Sequence, residues 1–127
     1  ICDGIDNNCD GTIDGSSACP DYTITTTAGA MVITDVAGNG EALTVSQNGA
    51  NIRFDATGRT YSLNGGPTLN LPADVALAGA NSITVNTAVG NDNISIGAFT
   101  ANLPSLTING GVGDDAVNFN GDITLPN

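Results

Sequence analysis

Two segments near the C-terminal end of the chain align without a gap at an offset of 23 residues. One runs from Ser82 to Gly97 and the other from Ser105 to Asn120. Six positions are identical: Ser82/Ser105, Thr84/Thr107, Asn86/Asn109, Val89/Val112, Gly90/Gly113 and Asp92/Asp115. Apolar residues fall on apolar residues at Ile83/Leu106, Val85/Ile108, Ile94/Val117 and Ile96/Phe119. A repeat of this length marks a solenoid, in which one coil cannot bury its apolar face alone and stacks on the next. At about 3.3 Å per strand residue, 23 residues suit a three-sided coil with short corners. Parallel crossovers are overwhelmingly right-handed. The expected fold is therefore all-β, a right-handed parallel β-helix, with an antiparallel β-sandwich as the alternative because it too shows short strands at short intervals.

The composition agrees with an all-β chain of 127 residues. Aromatic residues make up 4%, with no Trp, so Val, Ile, Leu, Thr and Ala must do the packing. The 17 glycines, with many Asn, Thr and Asp, provide turns between short strands, and no helical period runs through the chain. Alternation predicts strands at Tyr22–Thr26, Met31–Asp35, Ala42–Ser46, Asn51–Asp55, Thr60–Leu63, Thr68–Leu71, Ser82–Asn86, Asn93–Ile96, Leu103–Asn109, Ala116–Phe119 and Asp122–Leu125. The last two coils are expected to carry three strands each. Thr60-Tyr61-Ser62-Leu63-Asn64-Gly65-Gly66 resembles Ser105 to Gly111, and Ala42 to Ser46 resembles it more weakly, which suggests degenerate earlier coils at intervals of about 18 and 22 residues. Asn86 and Asn109 share one repeat position, as a stacked Asn ladder requires. Ser46-Gln47-Asn48-Gly49-Ala50 is a hairpin signal.

Charge narrows the partners. Two Lys plus Arg stand against 13 Asp plus Glu, a formal net charge of −11. Nucleic acid, anionic lipid and heparin are excluded as partners, since there is almost no cation to displace phosphate counterions; divalent cations are invited instead. Arg53 and Arg59, the two cations, are expected to be solvated or to neutralise a nearby Asp.

Residues 1–20 differ from the rest: no alternation, three cysteines (Cys2, Cys9, Cys19) and dense Asp and Asn. This stretch reads as a small calcium-loop module preceding a β-solenoid module over 21–127. The clustered cysteines fit an oxidising, extracellular setting, with the pairing among the three left open. No His and no CxxC are present, so a structural zinc site is not expected. No 18-residue apolar span occurs, and no membrane insertion is expected. The chain opens at Ile1 without Met and stops at Asn127 in mid-pattern, as a piece of a longer or processed secreted protein would.

Within this module, Asp6-Asn7-Asn8-Cys9-Asp10-Gly11-Thr12-Ile13-Asp14 has the order of a calcium loop. Side-chain oxygens stand at positions 1, 3, 5 and 9 as Asp6, Asn8, Asp10 and Asp14. Gly11 takes the sharp turn at position 6, Thr12 offers its carbonyl at 7, and Ile13 points inward at 8. Alternate residues supply ligands because the chain wraps the ion, and Ca2+ takes 6–8 hard oxygens. Ser17 stands where a bidentate Glu closes an EF-hand, so Asp3, a water or a carbonyl must complete the shell. Copper competes poorly without His and with its thiols oxidised.

Cys2-Asp3-Gly4-Ile5-Asp6-Asn7-Asn8-Cys9-Asp10-Gly11-Thr12-Ile13-Asp14-Gly15 resembles the metal-binding motif of the MopE type, a C-D-G-x-D-N-x-C-D-G-x-x-D repeat of large secreted bacterial surface proteins. The family often places Glu after the last Asp, where Gly15 stands here. Gly110-Gly111-Val112-Gly113-Asp114-Asp115-Ala116-Val117-Asn118 is similar to the RTX calcium nonapeptide G-G-x-G-x-D-x-U-x of secreted bacterial toxins and adhesins. The preceding coil keeps only part of it, Val89 to Ser95. The resemblance implies calcium between neighbouring turns, at Asp92 and Asp115. In a stack these two carboxylates lie about one strand spacing apart, roughly 4.8 Å, and a bound ion or hydrogen bonds to turn amides must relieve their repulsion.

The expected function is a non-enzymatic, calcium-stabilised module of a secreted bacterial surface adhesin or self-assembling extracellular filament, partnered by calcium, neighbouring modules or identical copies. A carbohydrate-binding adhesin module and a polysaccharide-degrading β-helix enzyme are the alternatives. The enzyme reading has Asp114 and Asp115 as paired carboxylates, but adjacent residues point different ways and no His, Lys or aromatic platform supports them.

Overall fold

The computed structural model describes residues 19–38, 40–100 and 105–123. The Asp6–Asp14 loop, with Asp3, lies outside these residues. Among the described residues the chain is all-β, with no helix and eleven strands. These are β1 (Tyr22–Thr27), β2 (Ala30–Asp35), β3 (Ala42–Asn48), β4 (Asn51–Asp55), β5 (Thr60–Leu63), β6 (Leu69–Asn70), β7 (Ala73–Ala76), β8 (Ser82–Asn86), β9 (Asn93–Ile96), β10 (Ser105–Asn109) and β11 (Ala116–Phe119). They form two mixed sheets, ordered β10-β8-β2-β1-β5-β6 and β11-β9-β3-β4-β7. No helix among the described residues is long and apolar enough to cross a membrane.

The pleat turns alternation into two faces. In β8, Ile83 and Val85 are buried while Ser82, Thr84 and Asn86 are half-buried on the other side. The buried residues of both sheets join one hydrophobic cluster. A shared core between two sheets also satisfies the broader description of a sandwich.

The repeat seen in the sequence is a pairing register. β10 lies parallel to β8 with Ser105 opposite Ser82 and Asn109 opposite Asn86. β11 lies parallel to β9 with Ala116 opposite Asn93. Between the strands of each pair, Val89 and Val112 form a parallel bridge. Beneath them, β2 pairs parallel with β8 and β3 parallel with β9. Four apolar columns result, Met31/Ile83/Leu106, Ile33/Val85/Ile108, Leu43/Ile94/Val117 and Val45/Ile96/Phe119. On the outer face Asn109 Nδ2 donates to Asn86 Oδ1 at 2.7 Å, and Asn86 Nδ2 to Thr34 Oγ1 at 3.4 Å. The expected Asn ladder is present and ends on a threonine.

The remaining strands extend both sheets at the other end. β1 and β2 form a hairpin through Ala28 and Gly29, both at positive φ as a type I′ turn requires. β3 and β4 form the hairpin expected at Gly49-Ala50, with Gly49 at φ 60°. β5 lies parallel to β1 and antiparallel to β6, and β7 lies antiparallel to β4.

Several sequence expectations need correction. The stacking neighbour of β8 is β2, not the segment Thr60–Gly66 that resembles it; β5 pairs with β1 instead. The excursion β4 to β7 lengthens the interval between the paired strands, so a search for equal spacing misses the partner. Within the described residues each repeated segment shows two strands and an isolated bridge; the third strand expected in the last one, Ile123–Leu125, lies mostly outside them. Asp122 and Ile123 are not strand, and the rest of the segment expected at 122–125 lies outside the described residues. The strand expected from Leu103 begins at Ser105, with 101–104 outside them, and Thr68–Leu71 shrinks to Leu69–Asn70. β7 was not expected, because Ala73-Asp74-Val75-Ala76 has a single β-branched residue; its pairing with β4 makes it a strand.

Candidate metal centre

The corner between the two sheets is built three times, by residues 36–38 with 40–41, by 87–92 and by 110–115, stacked by the registers above. Its tight backbone contacts explain the glycines of the nonapeptide. Val112 N donates to Ala88 O at 2.8 Å and Gly90 N to Val112 O at 2.9 Å. Gly111 and Gly113 have φ of 90° and 151°, and a Cβ on either would run into the carbonyl oxygen of Ala88 or Gly90 respectively. Only glycine fits such an approach.

The structure brings Asp92 and Asp115 into one column with Glu41, but couples them through the backbone. Asp115 Oδ1 accepts the Asp92 amide at 3.1 Å, and Asp92 Oδ1 accepts the Glu41 amide at 3.1 Å. Asp114 N in turn donates to Asn91 Oδ1 at 2.9 Å. Each carboxylate thus caps a turn of the coil below, the hydrogen-bonded solution of the two foreseen for this pair. Asp115 is exposed, whereas Asp92 is 2% exposed.

The inner side of the same corner holds a group of acids that spacing did not reveal. Asp35, at the end of β2, is 2% exposed, and its Oδ1 accepts the amides of Ala37 (2.8 Å) and Gly38 (3.0 Å). The Glu41 side chain is 5% exposed. Arg59 Nη2 sits 2.8 Å from Glu41 Oε2, off the line that a hydrogen bond needs, and Arg59 Nη1 lies 3.4 Å from Asp21 Oδ1. Tyr22 is fully buried, with its hydroxyl beside Glu41. Asp35 Oδ2 and Asp92 Oδ2 are buried without a hydrogen-bond partner.

Burial dominates the electrostatics here. It pushes the Asp35 carboxyl above its ordinary range; the Gly38 and Ala37 amides oppose this and the Asp92 charge adds to it. Burial likewise raises Glu41, opposed by the Tyr22 hydroxyl. Burial and then Glu41 hold the Tyr22 phenol well above its usual range. The other cation, Arg53, pairs with Asp74 on the surface at 2.8 Å, so both arginines neutralise an Asp as expected.

Of the expected ligands, only Asp92 and Asp115 lie within the described residues. Asp3, Asp6, Asn8, Asp10, Thr12 and Asp14 fall outside them. No group of three or more His, Cys, Asp or Glu side chains among the described residues is arranged as a metal-ligand set. Cys19 is disulfide-bonded. Asp35 and Glu41 were missed because neither belongs to a motif; the one available signal was an Asp ending an alternating strand on its buried parity. No family model, curated protein or solved structure matches the chain.

Proposed function

We propose that this chain is a non-enzymatic structural module of a secreted bacterial surface protein, an adhesin or self-assembling extracellular filament, built as a right-handed parallel β-helix and stiffened by calcium. The observation that carries this reading is the open end of the parallel stack. β10 and β11 are the outermost strands of their sheets at that end. The column residues Ile83, Val85, Ile94 and Ile96 are fully buried, while Leu106 and Ile108 above them are half-buried. Val117 is 42% exposed and Phe119 62%. Leu106, Ile108, Phe119 and Ile123 line a cavity of about 520 Å3 at this end. Neither β10 nor β11 carries a charge or proline, the usual guards of an open edge.

Such an end fits another coil of the same spacing, from a neighbouring module or an identical copy. The opposite end is different: there one sheet closes on β6, only two residues long. Light scattering across a concentration series, with calcium and with EDTA, tests the reading. Association that Phe119→Glu abolishes is expected; a monomer at every concentration in both conditions overturns self-assembly. Calcium calorimetry on the oxidised chain tests the Asp6–Asp14 loop, where Asp10→Asn should remove one bound ion.

The outer face of the first sheet supports a second reading, a carbohydrate-binding adhesin module. Ser82, Thr84, Asn86, Ser105, Thr107 and Asn109 present hydroxyls and amides in register without a charge among them. Retention on insoluble polysaccharide, lost with Thr84→Glu, is its test.

A further inference from the structure

The corner beneath the stacked turns holds more negative charge than its protein partners neutralise. Glu41 is balanced by Arg59 and faced by the Tyr22 hydroxyl. Asp35 and Asp92 have no counter-charge of their own among the described residues. Each spends Oδ1 on backbone amides, Asp35 on Ala37 and Gly38, Asp92 on Glu41. Each leaves Oδ2 buried and unbonded, in a residue only 2% exposed. A buried carboxylate oxygen without a partner is costly, and two such groups near one another are costlier. One divalent cation matches this deficit in charge and in kind, because hard carboxylate oxygens suit calcium.

We propose that the inner corner is a cation site, with one calcium ion bridging Asp35 Oδ2 and Asp92 Oδ2 and completing its shell from backbone carbonyls and water. Its ligands differ from those of the Asp6–Asp14 loop, and from those of an ion shared between Asp92 and Asp115. Because Asp35 closes β2 and Asp92 caps the turn entering β3, the ion would tie the lower coil to the repeated coil above it.

Tyr22 supplies the probe, since it is the cross-strand partner of Asp35, close enough to transfer excitation to a bound lanthanide. Terbium(III) is titrated into the oxidised full chain carrying Asp10→Asn, so that the N-terminal loop is silenced, and its emission is read on tyrosine excitation. Saturable emission displaced by calcium is expected, with at least a tenfold loss of terbium affinity on adding Asp35→Asn or Asp92→Asn. Asn keeps the Oδ1 acceptor for the backbone amides, and far-UV circular dichroism verifies the fold. Tyr61, which lies beside Tyr22 across β1 and β5, is first replaced by Phe so that Tyr22 is the one tyrosine donor; Tyr22→Phe in that background removes the emission while calorimetry still finds the ion. In the Tyr61→Phe background, emission that survives the Asn substitutions overturns the site. So does absence of saturable emission. Failure of the N-terminal loop would appear separately, as calcium stoichiometry unchanged between the native chain and Asp10→Asn.

Discussion

Asp115 Oδ1 accepts the backbone amide of Asp92 at 3.1 Å, so the second carboxylate of the repeat caps the turn that carries the first. The same bond recurs one coil lower, from the Glu41 amide to Asp92. Asp115→Ala removes an acceptor from an exposed position and is expected to cost about 1 kcal/mol, whereas Asp115→Asn should cost less than half of that. Urea unfolding of the two variants checks the pair; equal losses would mean that charge, not the cap, matters.

The columns make a graded prediction about packing. Ile83 is fully buried between Met31 and Leu106, and Ile94 between Leu43 and Val117. Ile83→Ala or Ile94→Ala should cost about 2–5 kcal/mol. Leu106→Ala, in the half-buried end coil, should cost clearly less, because part of its surface is already in water. If denaturant midpoints fell equally for all three, the end coil would be covered in solution, as association through β10 and β11 would produce.

Glycines at the corner and at a hairpin should behave differently. Gly111 combines φ 90° with a collision of any Cβ against the Ala88 carbonyl. Gly111→Ala should cost more than about 2 kcal/mol, since strain and backbone displacement add. Gly49, at φ 60° with open space around it, should cost only about 1 kcal/mol as Ala. Thermal melts of the two variants give the comparison.

Burial raises the Asp35 and Glu41 carboxyls in the folded chain. A raised folded value means that the native state holds its protons more tightly than the unfolded chain. That contribution is complete below the ordinary carboxylate range and is lost as pH rises from there through the raised folded values. In EDTA, stability should therefore fall as pH rises above that range, and Asp35→Asn should flatten the fall. Melting temperatures in EDTA between pH 4 and pH 8 test this; a rise over the same interval would reverse the sign.

Much of the repeated part was legible in the sequence because its information is local. Alternation sets which side of a strand is buried, and Ser82–Asn86, Asn93–Ile96 and Ala116–Phe119 stand at the expected bounds. A gap-free offset of 23 leaves one parallel register that keeps every apolar residue inside, since a one-residue slip would turn each column out. Asn109 stacks on Asn86 for the same reason.

Other features depend on pairings between distant segments. That β2, and not β5, pairs with β8 follows from the hairpins that insert β4 to β7 between the paired strands. Asp35, Glu41, Arg59 and Asp92 share no motif, and only the closing of the corner gathers them and removes their water. The sequence by itself determined most of the strands, their buried faces and the register of the repeat, because these follow from side-chain period and spacing. The tertiary structure alone decided which coils meet and which carboxylates lose their solvent, because burial and charge proximity belong to long-range contacts that no local pattern encodes.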